Sequence, residues 1–183
     1  GERGAIPVDD ESDLHAVPAA LETALASHDL AAAVASREAG MNRAVVLGRG
    51  YEYATAREWA LKLQELAQVL AHPWSSADVE HGPLALLEPG LPVLAIVPDD
   101  VAGDGLLDLL RRLRVERRAD VITVSGRTDA RDLDPIDPGS TLPAWLAPIA
   151  SIVPGQLFAA HLAIAKGLDP ERPRALTKVT RTR

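Results

Sequence analysis

The 183-residue chain contains no cysteine. That excludes disulfides, Cys-ligated zinc and thiol catalysis, and it fits a reducing, cytoplasmic compartment. There is no signal-peptide pattern, and no apolar run reaches the ~18–20 residues of a membrane span. A basic excess is also missing: 19 Lys and Arg against 26 Asp and Glu leave a net charge of −7. This argues against a general nucleic-acid surface, since phosphate backbones need a basic stripe. The dinucleotide fingerprint is incomplete, because Gly48-Arg49-Gly50 is followed by Tyr53 where a third glycine is needed, so a nicotinamide cofactor is rejected. The chain opens on Gly1-Glu2-Arg3-Gly4 without an initiator Met, and reads as a piece of a longer protein.

What is present suffices for one α/β domain, since 47% of the residues are apolar. Residues 1–18 are polar and acidic at first, with Asp9-Asp10-Glu11-Ser12-Asp13, and are expected to be a linker or tail. A helical lead-in follows over 19–40, as one helix or two broken near Ser27-His28-Asp29. The main domain spans 41–183. Ala44–Leu47, Pro92–Pro98 and Asp120–Ser125 read as buried strands, with a fourth weakly signalled near Leu133–Ile136. Helices are expected over about Tyr53–Leu70, around Leu106–Leu113 and over Ala144–Lys166, the last kinked or interrupted at Pro148 and Pro154. The arginines at 111, 112, 114, 117 and 118 read as a solvated face. Strands alternating with helices predict a parallel sheet covered on both sides, a three-layer αβα sandwich.

The chemistry concentrates in Glu58-Trp59-Ala60-Leu61-Lys62-Leu63-Gln64-Glu65. At ~100° per residue, Glu58, Lys62 and Glu65 share one helix face. Spacing alone also describes a surface pair worth only ~0.2–0.5 kcal/mol. Inside an Ala/Leu-rich segment, however, such a cluster must pair its charges to be buried, and perturbed charged clusters are frequent at sites of proton transfer. His81 follows in a loop fixed by Gly82 and Pro83.

These stretches resemble a sugar isomerase (SIS) domain of flavodoxin-like fold, and more narrowly the second of the two such domains in the isomerase part of glucosamine-6-phosphate synthase. The likeness rests on Leu47-Gly48-Arg49-Gly50, on Glu58 to Glu65, and on Glu80 to Leu86 around His81. It continues through Ala147-Pro148-Ile149, Val153-Pro154-x-Gln156-Leu157, Lys166-Gly167-x-Asp169 and Pro173-Arg174-x-Leu176-x-Lys178. The resemblance implies that Glu65 moves a proton between C1 and C2 of an open-chain sugar. Lys62 and Glu58 would support it, and His81 would open the sugar ring, reaching the site from a neighbouring subunit. Lys178 would close over the substrate from a C-terminal catalytic tail, residues 167–183. Arg49, Gly50 and Thr177 are candidate substrate contacts, with Arg49 placed to approach a phosphate. His72 and His161 match nothing in the family pattern and read as structural.

The departures carry equal weight. The family's phosphate cradle is a Ser/Thr-rich loop at a helix N-terminus. No Ser-x-Ser-x-x-Thr pattern occurs here, and Ser75-Ser76 lies elsewhere. The expected partner is therefore a first SIS domain that supplies the phosphate-binding loop, in a homodimer acting on a hexose 6-phosphate, without metal, cofactor, nucleic acid or membrane. The function implied is the C-terminal half of an amino-sugar-phosphate isomerase/aminotransferase or deaminase, working on fructose 6-phosphate and glucosamine 6-phosphate type sugars. A non-catalytic sensor module that binds a sugar phosphate is the alternative, and a purely structural dimerisation domain, suggested by the apolar helix 144–166, is a weaker third.

Overall fold

Strand β1, Arg43–Gly48, is buried from its second residue onward. Its side chains alternate between two separate apolar clusters, as the two-residue repeat of a strand requires. Val45 and Leu47 join one cluster with Val93, Ala95 and Val97. Ala44 and Val46 join the other with Leu94, Ile96, Ile122 and Val124. A strand apolar on both faces must be covered on both faces, and this one is. The computed structural model describes residues 11–79, 81–82, 87–133, 135–139 and 142–174.

The sheet has four parallel strands in the order β2-β1-β3-β4, with β2 at Leu70–Ser75, β3 at Pro92–Ile96 and β4 at Asp120–Val124. This is the doubly wound, flavodoxin-like order, whose direction of winding reverses between β1 and β3. β2 was not expected from the sequence. It is an edge strand carrying Pro73, tolerated there because one side of an edge strand needs no ladder donors. The expected fourth strand near Leu133–Ile136 reduces to a single parallel bridge between Val124 and Ile136.

The helices before the sheet are α1 (Glu11–Leu14), α2 (Val17–Leu25) and α3 (His28–Arg37), so helix begins inside the segment expected to be a linker. The break falls at Ala26-Ser27, next to the expected position. α4 (Glu52–Ala67) follows β1, and the single turn α5 (Ser76–Val79) follows β2. α6 (Val101–Glu116) joins β3 to β4 and lays Leu106, Leu107, Leu109, Leu110 and Leu113 on one face of the sheet. Its N-terminus is capped by Asp100, whose carboxylate accepts from the Ala102 and Gly103 amides.

α7 (Ala147–Ala165) packs with α3 and α4 over the opposite face, and α2 lies on α7. Pro148 sits in its first turn, where the missing N–H costs nothing. Pro154 lies inside the helix, where a kink or an interruption is expected, and the helix runs on through it without interruption. α7 is also long and apolar enough to cross a membrane, contrary to the expectation that no segment is. Half of it is buried within this fold.

The arginine-rich side of α6 is not simply solvated. Arg111 bonds the Asp132 carboxylate and the Asp129 carbonyl, and Arg114 donates to the Asp132 carbonyl. Together they hold a 3-10 helix, Thr128–Leu133, against α6.

Candidate functional site

α4 buries Glu52, Thr55, Ala56, Trp59, Ala60, Leu63 and Ala67, a stripe at helical three- and four-residue spacing. Glu58, Lys62 and Glu65 therefore fall on the flank of that stripe. Their side chains are neither buried nor free: relative exposures are 38%, 27% and 27%. The Lys62 Nζ donates to Glu65 Oε2 at 2.6 Å and lies 3.7 Å from Glu58 Oε1. The bond to Glu65 raises the Lys62 pKa above its ordinary value, against the opposing effect of partial burial. Lys62 is thus held protonated, a donor rather than a base. Any proton acceptor in this group has to be a carboxylate.

Glu58 also borders a shallow depression of about 520 Å³ with Ala54, Arg57, Leu61, Gln64 and Pro73. Gln64 is fixed there by a 2.6 Å bond from its Nε2 to the Ala71 carbonyl of β2. Of the three charges, Glu58 alone borders this depression, and Lys62 and Glu65 lie beside it on the half-covered flank of α4.

A second concavity, of about 340 Å³, opens at the carboxyl ends of β1, β3 and β4. Arg49 lines it, and Gly50 beside Arg49 turns the chain at φ 57° into α4. Gly48 permits the tight entry into this helix: a Cβ there would lie 2.3 Å from the Glu52 carbonyl oxygen. Glu52 closes the floor of the cavity at 2% exposure. It accepts from Thr55 Oγ1 at 2.5 Å and from Ser151 Oγ at 2.7 and 2.9 Å. Burial raises its pKa, outweighing those hydroxyls, and Asp100 adds to the rise. The rim around Pro98 and Asp100 is pinned by Arg127, which bonds both their carbonyls and the Asp104 and Asp129 carboxylates.

The candidates thus separate into two places. Glu65 lies about 20 Å along α4 from Glu52, at 1.5 Å per residue, and faces another way. Arg49 lines the strand-end cavity, with Gly50 next to it in the chain, and neither belongs to the Glu58–Lys62–Glu65 group. His81 occupies an exposed turn after α5, its amide bonded to the Asp78 carbonyl. Among the described residues no hydrogen bond or ion pair joins it to the three charges. Lys178 and Thr177 lie outside the described residues. The strand-end cavity, with Glu52, Asp99 and Asp100 against Arg49, is a poor cradle for a phosphate. Among the described residues no three His, Cys, Asp or Glu side chains converge as a metal site.

Sequence reasoning missed Glu52. Its only signal was an acidic residue in the first turn of a helix, where the dipole favours negative charge. Its partner Ser151 is 99 residues away, so nothing local announces the pair.

The family model of the SIS domain matches residues 39–132. The chain belongs to the SIS domain family. The resemblance read from Glu58 to Glu65 and from the flanking motifs agrees with the relatives found. The chain is 37% identical over 174 residues to glutamine–fructose-6-phosphate aminotransferase (isomerizing) of Leifsonia xyli, covering 91% of this chain and 28% of that protein. Among solved structures, this SIS domain is similar to the C-terminal domain of glucosamine-fructose-6-phosphate aminotransferase from Francisella tularensis. The TM-score is 0.76 at 28% identity, over 86% of this chain and 45% of the other. It is also similar to tagatose-6-phosphate ketose/aldose isomerase from Escherichia coli, with a TM-score of 0.62 at 27% identity, over 72% and 38% of the two chains. The SIS domain thus spans about a quarter of the length of the curated relatives it matches.

Proposed function

We propose that this SIS domain supplies the proton-transfer side of an amino-sugar-phosphate isomerase/aminotransferase or deaminase acting between C1 and C2 of a hexose 6-phosphate. The observation that carries the reading is the Glu58–Lys62–Glu65 group, half-covered and paired through 2.6 Å and 3.7 Å contacts on the outward flank of α4. In this reading Glu65 is the base. It takes a proton from one of the two adjacent carbons, leaving an enediol or enamine, and returns it to the other. Lys62, held protonated, steadies the Glu65 carboxylate and donates to the sugar's oxygens, and Glu58 fixes Lys62 from the far side. Amination of fructose 6-phosphate and release of ammonia from glucosamine 6-phosphate both pass through that transfer.

His81 is assigned the ring-opening proton. An imidazole gives and takes a proton near neutral pH, and an exposed turn allows it to serve a neighbouring subunit of a homodimer. Lys178, with Thr177, is assigned the closing tail. The phosphate falls to a first SIS domain, because this chain has no Ser/Thr-rich cradle and its own strand-end cavity is acidic. Similarity to enzymes whose names specify fructose 6-phosphate or tagatose 6-phosphate supports the substrate class.

The test is solvent-deuterium exchange at C1 and C2 of the sugar phosphate by the full-length protein. Glu65→Gln is expected to slow exchange by about 10²–10⁴, the usual share of a general base. Exchange at the unmodified rate removes Glu65 from the reaction and with it this reading.

A further inference from the structure

His28 and His161 stand apart from everything described above. His28 opens α3 and His161 lies in the last turns of α7, so the chain brings together two imidazoles 133 residues apart. Their Nε2 atoms are 3.1 Å apart, with ring centres at 4.5 Å and planes at 81°. A collinear N–H···N bond of that length would hold the ring centres about 5.4 Å apart. The rings are bent toward one another instead.

The Asp29 carboxylate lies 3.1 Å from His28 Nδ1. In the tautomer whose Nδ1–H donates to that carboxylate, His28 Nε2 is a bare lone pair facing His161. A carboxylate behind an imidazole is the usual outer partner of a metal-binding histidine, because it fixes the tautomer and raises the basicity of the ligating nitrogen. His161 is partly buried beside His28. The His28 side chain is 55% exposed, which leaves a path to solvent. The helices behind the pair are fixed to each other by Ala31, Val34 and Ala35 of α3 and Phe158 and Leu162 of α7.

We propose that His28 and His161 form a two-imidazole site for a first-row divalent transition ion of the zinc, nickel and copper group, with Asp29 as the outer carboxylate. Two nitrogens about 2.05 Å from one ion and 3.1 Å apart subtend about 98° at it, between the octahedral and tetrahedral angles. In the ion-free protein the His161 Nε2–H donates to His28 Nε2. The ion takes the place of that proton, which passes through solvent to His161 Nδ1, so the pair stays neutral and no co-reactant is needed. Water fills the remaining positions. The site clips α3 to α7 and is independent of the sugar chemistry proposed for α4.

Equilibrium dialysis of the full-length protein against Zn²⁺, with Cu²⁺ electron paramagnetic resonance as the second readout, tests the proposal. The wild type is expected to hold one more ion per chain than His28→Gln or His161→Gln, and its Cu²⁺ spectrum to carry the splitting of two imidazole nitrogens. Both glutamine variants keep a hydrogen-bonding side chain at positions open to solvent, and circular dichroism checks that they fold. Asp29→Asn is expected to raise the dissociation constant about tenfold, the lower end of what outer-partner losses cost. Equal ion counts and equal spectra in wild type and both glutamine variants would overturn it, leaving a plain hydrogen bond between two rings.

Discussion

Glu52 is a carboxylate with 2% exposure and, among the described residues, no cationic partner, balanced by two hydroxyls. Desolvation disfavours its charged form more than the Thr55 and Ser151 bonds favour it, so the folded pKa lies above the ordinary 4.5. Between the unfolded and folded values the native state therefore binds more protons than the unfolded chain. Stability must fall as pH climbs through that window, and then level off. Glu52→Gln removes the charge but keeps an oxygen for both hydroxyls. The variant is expected to be more stable than the wild type at pH 7, with the difference closing towards pH 4. Urea unfolding at the two pH values measures this. A variant equally weakened at both would mean that Glu52 is held as a comfortable anion and that burial is not the dominant effect.

At the level of elements, the contact of α4 with α7 depends on one large side chain meeting one missing one. The Trp59 indole is fully buried and meets Phe158 edge-to-face, with ring centres 5.7 Å apart. Gly155 of α7 lies directly over it: a Cβ there would fall 2.9 Å from Trp59 Cγ. The indole has no free end to swing away, so the helices themselves have to part. Gly155→Ala is expected to cost about 1–3 kcal/mol in denaturant unfolding despite alanine's better helix propensity, the usual penalty of overpacking a filled core. A stabilised variant would show that α7 can slide over α4. Neither half of this contact is visible in the sequence. The legible features were those whose cause is local: the apolar β1, β3 and β4, the leucine stripe of α6, and the charges at 58, 62 and 65. β2 escaped because an edge strand with His72 and Pro73 has neither alternation nor a full apolar run. The Glu52–Ser151 and His28–His161 pairs escaped because only the fold brings their partners together.

For the whole molecule, the decisive geometric fact is that the paired charges of α4 face out while the strand-end cavity lies elsewhere and is acidic. In the proposed reading, the phosphate of a substrate resting against Glu65 is gripped by the first SIS domain. A sugar phosphate that only collides with Glu65 forgoes the advantage of being held, which for well-oriented groups reaches effective molarities of about 10⁵ M or more. Residues 1–183 produced alone are thus expected to exchange sugar-phosphate hydrogens at least about 10⁵-fold more slowly than the full-length protein at equal millimolar substrate. Adding the separately produced remainder should recover part of the rate, and should fail to do so when residues 1–183 carry Lys62→Met. Deuterium incorporation followed by proton NMR reads all three mixtures side by side. Exchange by the isolated chain at the full-length rate would mean that it grips the phosphate itself. The acidic strand-end cavity, with Arg49 at its rim, would then have to be reconsidered as the substrate's seat, and α4's outward charges would return to being an ordinary half-covered helix face.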